Sequence, residues 1–173
     1  KGYFAEDLYS LPLKWWDKKG GDGAFINLEG SGYLDDAFVC TIPSGKSLNP
    51  ERHLFEELVY ILDGHGATTM WQENGRKQSF EWQKGSLFAI PLNTWYQHFN
   101  GAGDREARIL GVTNAPLVIN LFHNIDFVMN NPYTFKDRFQ GEENYFAGSG
   151  KLYNDRVLET NFVSDAITIE PIA

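Results

Sequence analysis

Two stretches of this chain concentrate side chains able to do chemistry: residues 45–64 (GKSLNPERHLFEELVYILDG) and residues 85–100 (GSLFAIPLNTWYQHFN). In the first, Glu51, His53, Phe55 and Glu57 share parity; in the second, Tyr96, His98 and Asn100 do. Alternate residues of an extended segment face the same side. Two carboxylates, two imidazoles and a phenol can therefore converge on one interior, which makes either a metal site or an acid/base pocket.

The individual groups carry different demands. Glu56 and Glu57 are neighbours of opposite parity, so one faces in and the other out. A buried, ionised Glu57 requires a metal, an Arg or a hydrogen-bonded imidazole, because an unpartnered carboxylate would shift its pKa and neutralise instead. Tyr96, with an ordinary phenol pKa near 10, is a neutral donor that can orient substrate or stabilise an oxyanion, or a ring that fills space. Glu51, between Pro50 and Arg52, has an exposed rim position as its plain alternative. His65, flanked by glycines, and His123, beside Asn124, are expected at the surface.

The same stretches resemble the paired motifs of the cupin superfamily, G-x5-H-x-H-x3-4-E-x6-G and G-x5-P-x-G-x2-H-x3-N. Gly45, His53, Glu57 and Gly64 stand at the intervals of the first motif, and Gly85, Pro91 and Asn100 at those of the second. Glu51 stands where the family has His, Asn93 where it has Gly, and Tyr96 where it has the second motif's His. The resemblance runs from about Ala24 to Asn120. It implies an all-β fold: a cupin-type double-stranded β-helix, or jelly-roll barrel. It also makes Glu57 the inward-facing acid. By the same resemblance Glu51, His53, Glu57 and His98 form the expected ligand set for a divalent transition metal (Fe, Mn, Ni, Co or Zn), with His98 replacing the lost imidazole. A barrel without metal is the alternative.

Positioning these residues takes many short strands. Segments 25–28, 37–42, 58–62, 67–71, 78–82, 86–90, 95–99, 107–113 and 117–122 read as strands, with Asn74-Gly75 as a hairpin signal and Asp63-Gly64 as a turn. About ten such strands without helical periodicity indicate a barrel or jelly roll. Residues 1–23 read as an irregular N-terminal arm whose Trp15 and Trp16 cap the barrel. The barrel proper is assigned to 24–122. A C-terminal extension, 123–173, opens on a short helix before Pro132, continues irregularly over 140–155 and carries one or two strands in 157–170. It packs on the barrel, crosses to a partner, or leads into a second cupin unit. Phe55, Val59, Ile61, Phe88 and Trp95 are the expected pocket walls, Trp95 against its parity.

The 173 residues suit one domain with a real core, 42% being hydrophobic and 15% aromatic. A formal net charge of -8 argues against nucleic acid and anionic membranes. No apolar run approaches the roughly 20 residues that span a bilayer, and no signal peptide is visible. Cys40, the single cysteine, lies in the apolar run AFVCTI and reads as a core thiol; an internal disulfide is impossible and the cytoplasm is the expected compartment. Neither a phosphate loop nor a nucleophile elbow is present.

The functional expectation is a small-molecule enzyme, metal-dependent and oxygenase-type, with Tyr96 and Glu57 as its catalytic groups and a homodimer as its state. A metal-dependent isomerase or lyase would use the same residues, Tyr96 donating and a Glu acting as base. A metal-free ligand-binding or scaffold cupin is the alternative from another class.

Overall fold

The structure is a computed structural model that describes residues 2–73 and 75–169. Twelve strands and two α-helices are assigned among them, with a single 3-10 turn at Glu29–Ser31. The strands are β1 (Lys14–Trp16), β2 (Gly21–Ile26), β3 (Asp36–Ile42), β4 (Glu57–Asp63), β5 (His65–Trp71), β6 (Gln78–Gln83), β7 (Leu87–Ile90), β8 (Trp95–Asn100), β9 (Ala107–Thr113), β10 (Lys151–Asn154), β11 (Val157–Glu159) and β12 (Phe162–Val163). The helices are α1 (Ala115–Phe122) and α2 (Ile125–Met129). None of the helices is long and apolar enough to cross a membrane.

Two sheets enclose the core. One has the order β1-β2-β3-β9-β4-β7-β12 and the other β6-β5-β8, every pairing antiparallel. Alternation explains the inside: Phe38, Cys40 and Ile42 of β3, Val59 and Ile61 of β4 and Ile109 of β9 are buried in one cluster with Met70, Trp82, Phe88 and Tyr96. The sheets are stitched by a bridge between Glu51 and Tyr96, which exchange backbone bonds of 3.0 and 2.9 Å. Gly64, at φ 93°, turns β4 into β5 in a conformation that L side chains rarely adopt. Asn93 occupies the left-handed region at φ 54° where the motif has Gly, a substitution that Asn tolerates best. Burial in β3 pushes the Cys40 thiol up to about 12, so it is an inert core group.

Three expectations change. The N-terminal arm is not irregular throughout, because β1 and β2 form a hairpin that extends the large sheet through β3. Segment 117–122 is helix, not strand. Its apolar run is ambiguous by itself, but Pro116 sits in the first turn, where a missing N–H is harmless, and Asn114 precedes the helix. Finally, Trp95 stacks on Trp71 outside the barrel, with Arg52 4.8 Å above its ring. Asn74 of the expected hairpin turn lies outside the described residues, though β5 and β6 pair as expected.

The C-terminal extension joins the core instead of trailing from it. Phe139 and Phe146 are buried in the main cluster, Phe80 stacks on Phe146 at 4.3 Å, and β12 pairs with β7. Because Phe139 is fully buried, Phe139→Ala should cost about 3–5 kcal/mol and shift a single, cooperative denaturant transition. A separate early transition for the extension would contradict its being part of one core.

Candidate functional site

The site lies where β4, β8 and the segment before β4 meet the β1–β2 turn. Glu51 and Tyr96 are adjacent through their bridge. His53 is held by its backbone oxygen, which accepts from Asn93 N at 2.9 Å, and by its ring, which stacks on Phe55 with centroids 3.7 Å apart. His53 Nδ1 donates to Phe55 O at 2.8 Å, and its Nε2 lies 2.9 Å from Glu57 Oε2. Tyr96 Oη is within 3.0 Å of Glu57 Oε2, 3.2 Å of Glu51 Oε2 and 3.2 Å of His53 Nε2. Sequence parity thus brought together four of the five expected groups.

The residue it missed is Lys19. Its Nζ sits 2.5 Å from Glu51 Oε2 and 3.4 Å from Tyr96 Oη, with a side chain only 6% exposed. Lys19 belongs to the turn between β1 and β2. Gly20 closes that turn at φ 77°, and Asn49 clamps it by donating to Asp17 O, Lys18 O and, through its backbone, Lys19 O. Asn49 lies two residues before Glu51, so the clamp aims the lysine at the carboxylate. The ammonium also lies 4.6 Å from the centre of the Phe38 ring, a favourable cation–π distance. A possible signal was the requirement for a cation beside an interior Glu57, but Lys19 looked like part of a surface breaker cluster.

His98 is buried in the same interior, its ring centroid 5.2 Å from that of Tyr96. It does not join the hydrogen-bonded cluster: its Nδ1 contacts Thr68 Oγ1 at 2.7 Å, which also accepts from Trp82 Nε1. His98 Nε2 and Glu57 Oε1 are both buried without a hydrogen-bond partner. His65 and His123 are exposed. Asn100 ties down the chain at the other end of β8, donating to the carbonyls of Ile42, Pro43 and Arg105.

Charge and protonation follow from this packing. Burial opposes ionisation of Glu57, but the Lys19 charge and the His53 hydrogen bond outweigh it and hold the carboxyl at about 2. Burial likewise opposes the Lys19 charge, yet Glu57 and Glu51 carry its pKa upward. Burial and both carboxylates raise Tyr96 well above the usual phenol value, leaving it a neutral donor. His53 thus spans the cluster, with Nδ1 on the Phe55 carbonyl and Nε2 between the Glu57 carboxylate and the Tyr96 hydroxyl.

Over it lies a cavity of about 240 Å³, walled by Trp16, Phe25, Phe38, Phe55, Ile119 and Met129, with Glu51, His53 and Glu57 among its polar lining. Asp36 borders it, bonded to the Thr113 hydroxyl; burial raises its carboxyl. Val59, Ile61 and Phe88, expected as pocket walls, fill the barrel interior instead. A larger depression of about 650 Å³ lies near the other end of β8, beside His65, Glu81 and Asn100. Its two titratable side chains are exposed and form no cluster, whereas the smaller cavity borders the buried Glu51, His53 and Glu57.

The metal implied by the motifs can be tested against these side chains. Glu51 Oε2 holds an ammonium, His53 Nε2 and Glu57 Oε2 hold each other, and His98 Nδ1 faces Thr68. Among the described residues, no group of three or more His, Cys, Asp or Glu side chains is disposed to hold a metal ion. As arranged, Glu51, His53, Glu57 and His98 do not fit one.

No protein-family model and no curated protein sequence matches the chain. Solved structures do. The oxalate decarboxylase of Lactobacillus farciminis, in its formate complex, is 19% identical with a TM-score of 0.53, over 63% of this chain and 32% of that one. Vicilin from Capsicum annuum is 12% identical with a TM-score of 0.51, over 58% and 29%. The cupin domain of Schizosaccharomyces pombe Cnp3 is 19% identical with a TM-score of 0.50, over 62% and 70%. The fold is that of the cupins. The chain spans about a third or less of the length of the decarboxylase and the vicilin.

Two outcomes are expected. Lys19→Met strands buried carboxylates and should lower stability by about 3–5 kcal/mol, whereas adding Glu51→Leu should restore part of the loss, read by denaturant melts. Additive losses would mean the pair is not coupled. Burial holds His98 down at about 4 against an ordinary 6.5. Between those values the unfolded chain binds the extra proton, so stability should fall as pH drops from 6.5 to 4. Glu57, ionised down to about 2, adds a further loss below its ordinary 4.5. His98→Phe should flatten the upper limb alone; an unchanged profile between pH 6.5 and 4 would refute that assignment.

Proposed function

We propose that the chain is a metal-independent cupin that binds a compact, largely apolar small molecule carrying a hydrogen-bond donor. The observation that carries this reading is the Lys19–Glu51 ion pair, which supplies from within the chain the positive charge that the carboxylates require. The cavity is smaller than the roughly 300–1,000 Å³ usual for drug-sized ligands, which supports a compact occupant. Its aromatic and aliphatic walls favour an apolar body, and the unpartnered Glu57 Oε1 is an acceptor for a hydroxyl or amine.

The protonation pattern supports binding over acid/base catalysis. A general base works best with a pKa near the operating pH, and a carboxylate at about 2 is a poor one. Tyr96, raised well above 10, is a correspondingly poor acid. The oxygenase-type and isomerase-type expectations both used a bound metal that the present side-chain arrangement does not accommodate. Apolar side chains exposed on the large sheet (Leu58, Val112) and on the helices (Leu121, Ile125) support pairing of two copies.

The test is a thermal-shift panel of compact aromatic and alicyclic alcohols and amines against tag-free protein. At least one class should raise the midpoint with EDTA present, and Ile119→Trp, which fills the cavity, should abolish the shift while the protein stays folded. Elemental analysis should return far less than one metal per chain. Stoichiometric metal, or ligand binding that EDTA removes, would refute the reading.

A further inference from the structure

The polar lining of the smaller cavity continues past the Glu51–His53–Glu57 cluster. Antiparallel register sets Asp36 of β3 opposite Thr113 of β9, and Thr113 opposite Glu57 of β4, so two carboxylates flank one hydroxyl across three adjacent strands. The rings of Trp16, Phe25 and Phe38 line the same cavity. We infer that it takes an organic ammonium ion, a protonated primary or secondary amine on a compact apolar skeleton, with Asp36 and Glu57 as its counter-ions and the three rings as its cage. The inference deepens the metal-independent binding reading and rests on it.

The acids are its first support. Thr113 Oγ1 accepts from Ala115 N at 3.1 Å and donates to Asp36 Oδ1, which fixes that carboxylate as an acceptor. Among the described residues, no Lys, Arg or His forms an ion pair with Asp36. Glu57 Oε1 is buried at the cavity and receives no hydrogen bond. A buried acceptor without a partner calls for one, and the N–H of a cation makes a stronger bond to a carboxylate than a neutral donor does. The charge count agrees. Asp36, Glu51 and Glu57 border the cavity against Lys18 and Lys19, and Lys19 is engaged with Glu51 at 2.5 Å. A neutral alcohol would leave that excess of negative charge in place, and an anion would add to it.

The rings are the second support. Trp16 and Phe25 have centroids 4.7 Å apart and planes at 53°, and Trp16 and Phe38 meet at 5.6 Å and 89°. Rings at such angles form a corner instead of a stack, and aromatic faces attract cations. Two of them already do so here: the Lys19 ammonium is 4.6 Å from the centre of Phe38 and 5.6 Å from that of Trp16. Phe25 has no such cation among the described residues, which leaves its ring for an incoming one. Glycines make the corner possible. A Cβ on Gly111 would come within 2.2 Å of the Phe38 ring, and one on Gly23 within 2.8 Å of the Trp16 ring. A side chain at either position would displace a ring from the cage.

Calorimetric titrations of tag-free protein in EDTA at neutral pH would compare matched pairs: benzylamine with benzyl alcohol, and cyclohexylmethylamine with cyclohexylmethanol. In at least one pair the ammonium should bind about tenfold more tightly or better. Asp36→Asn keeps an acceptor for Thr113 while removing the charge, and should cut that preference at least about threefold. Phe25→Leu, at a ring 62% exposed and so dispensable for folding, should narrow it as well. Alcohols that bind as tightly as their amines overturn the proposal and leave the metal-independent reading standing. A preference that either folded variant leaves intact overturns it too. Should no member of either pair bind, the proposal and the reading beneath it both fall.

Discussion

A lysine ammonium buried between carboxylates is the interaction on which the interior depends. Moving a carboxylate from water into a protein core costs several kcal/mol even after relaxation, and this barrel buries both Glu51 and Glu57 almost completely. Lys19 offsets that cost with a contact at 2.5 Å to the first and a strong field at the second. His53 links the Phe55 carbonyl to the Glu57 carboxylate through its two ring nitrogens, and Tyr96 shares its hydroxyl with both acids. Loss of the ammonium would leave anions with too few cations, so the β1–β2 hairpin that delivers it is part of the site's construction.

The packing holds Glu57 and Lys19 charged and Tyr96 neutral. The charged forms of Glu57 and Lys19 and the neutral form of Tyr96 are all favoured far from neutral pH, each because its neighbours compensate for burial in the direction that keeps the network intact. Such a floor acts as a static polar surface. Above it the cavity is apolar on several sides, through residues from β2, β3, α1 and α2. The two helices contribute Ile119 and Met129, and their own small cluster with Phe55 and Val128 anchors them over the opening. A cavity with one polar end and apolar walls discriminates by shape and by one or two hydrogen bonds.

Sequence and structure part company in instructive places. The barrel was legible because strand alternation and turn residues repeat: β3 to β9 lie within a residue or two of the segments that read as strands. The grouping of Glu51, His53, Glu57 and Tyr96 was legible because parity is a local property. Helix α1 was not, since a six-residue stretch apolar at all but Asn120 suits either periodicity and the decision rested on Pro116. Residues 14–23 hid a hairpin because glycines and lysines resemble a loop until Asn49 clamps their turn.

What the amino-acid order determined alone is the pattern: which faces of the strands are apolar, where the chain reverses, and which chemical groups share an interior. It also imposed the demand that an inward Glu57 meet a positive charge. Which group meets it was decided only by tertiary structure, because Lys19 lies 32 positions from Glu51 and 38 from Glu57 along the chain. Spacing rules cover residues on one strand or one turn of helix. They say nothing of a side chain brought in by a separate hairpin, whose place is set by packing on Phe38 and by hydrogen bonds to Asn49.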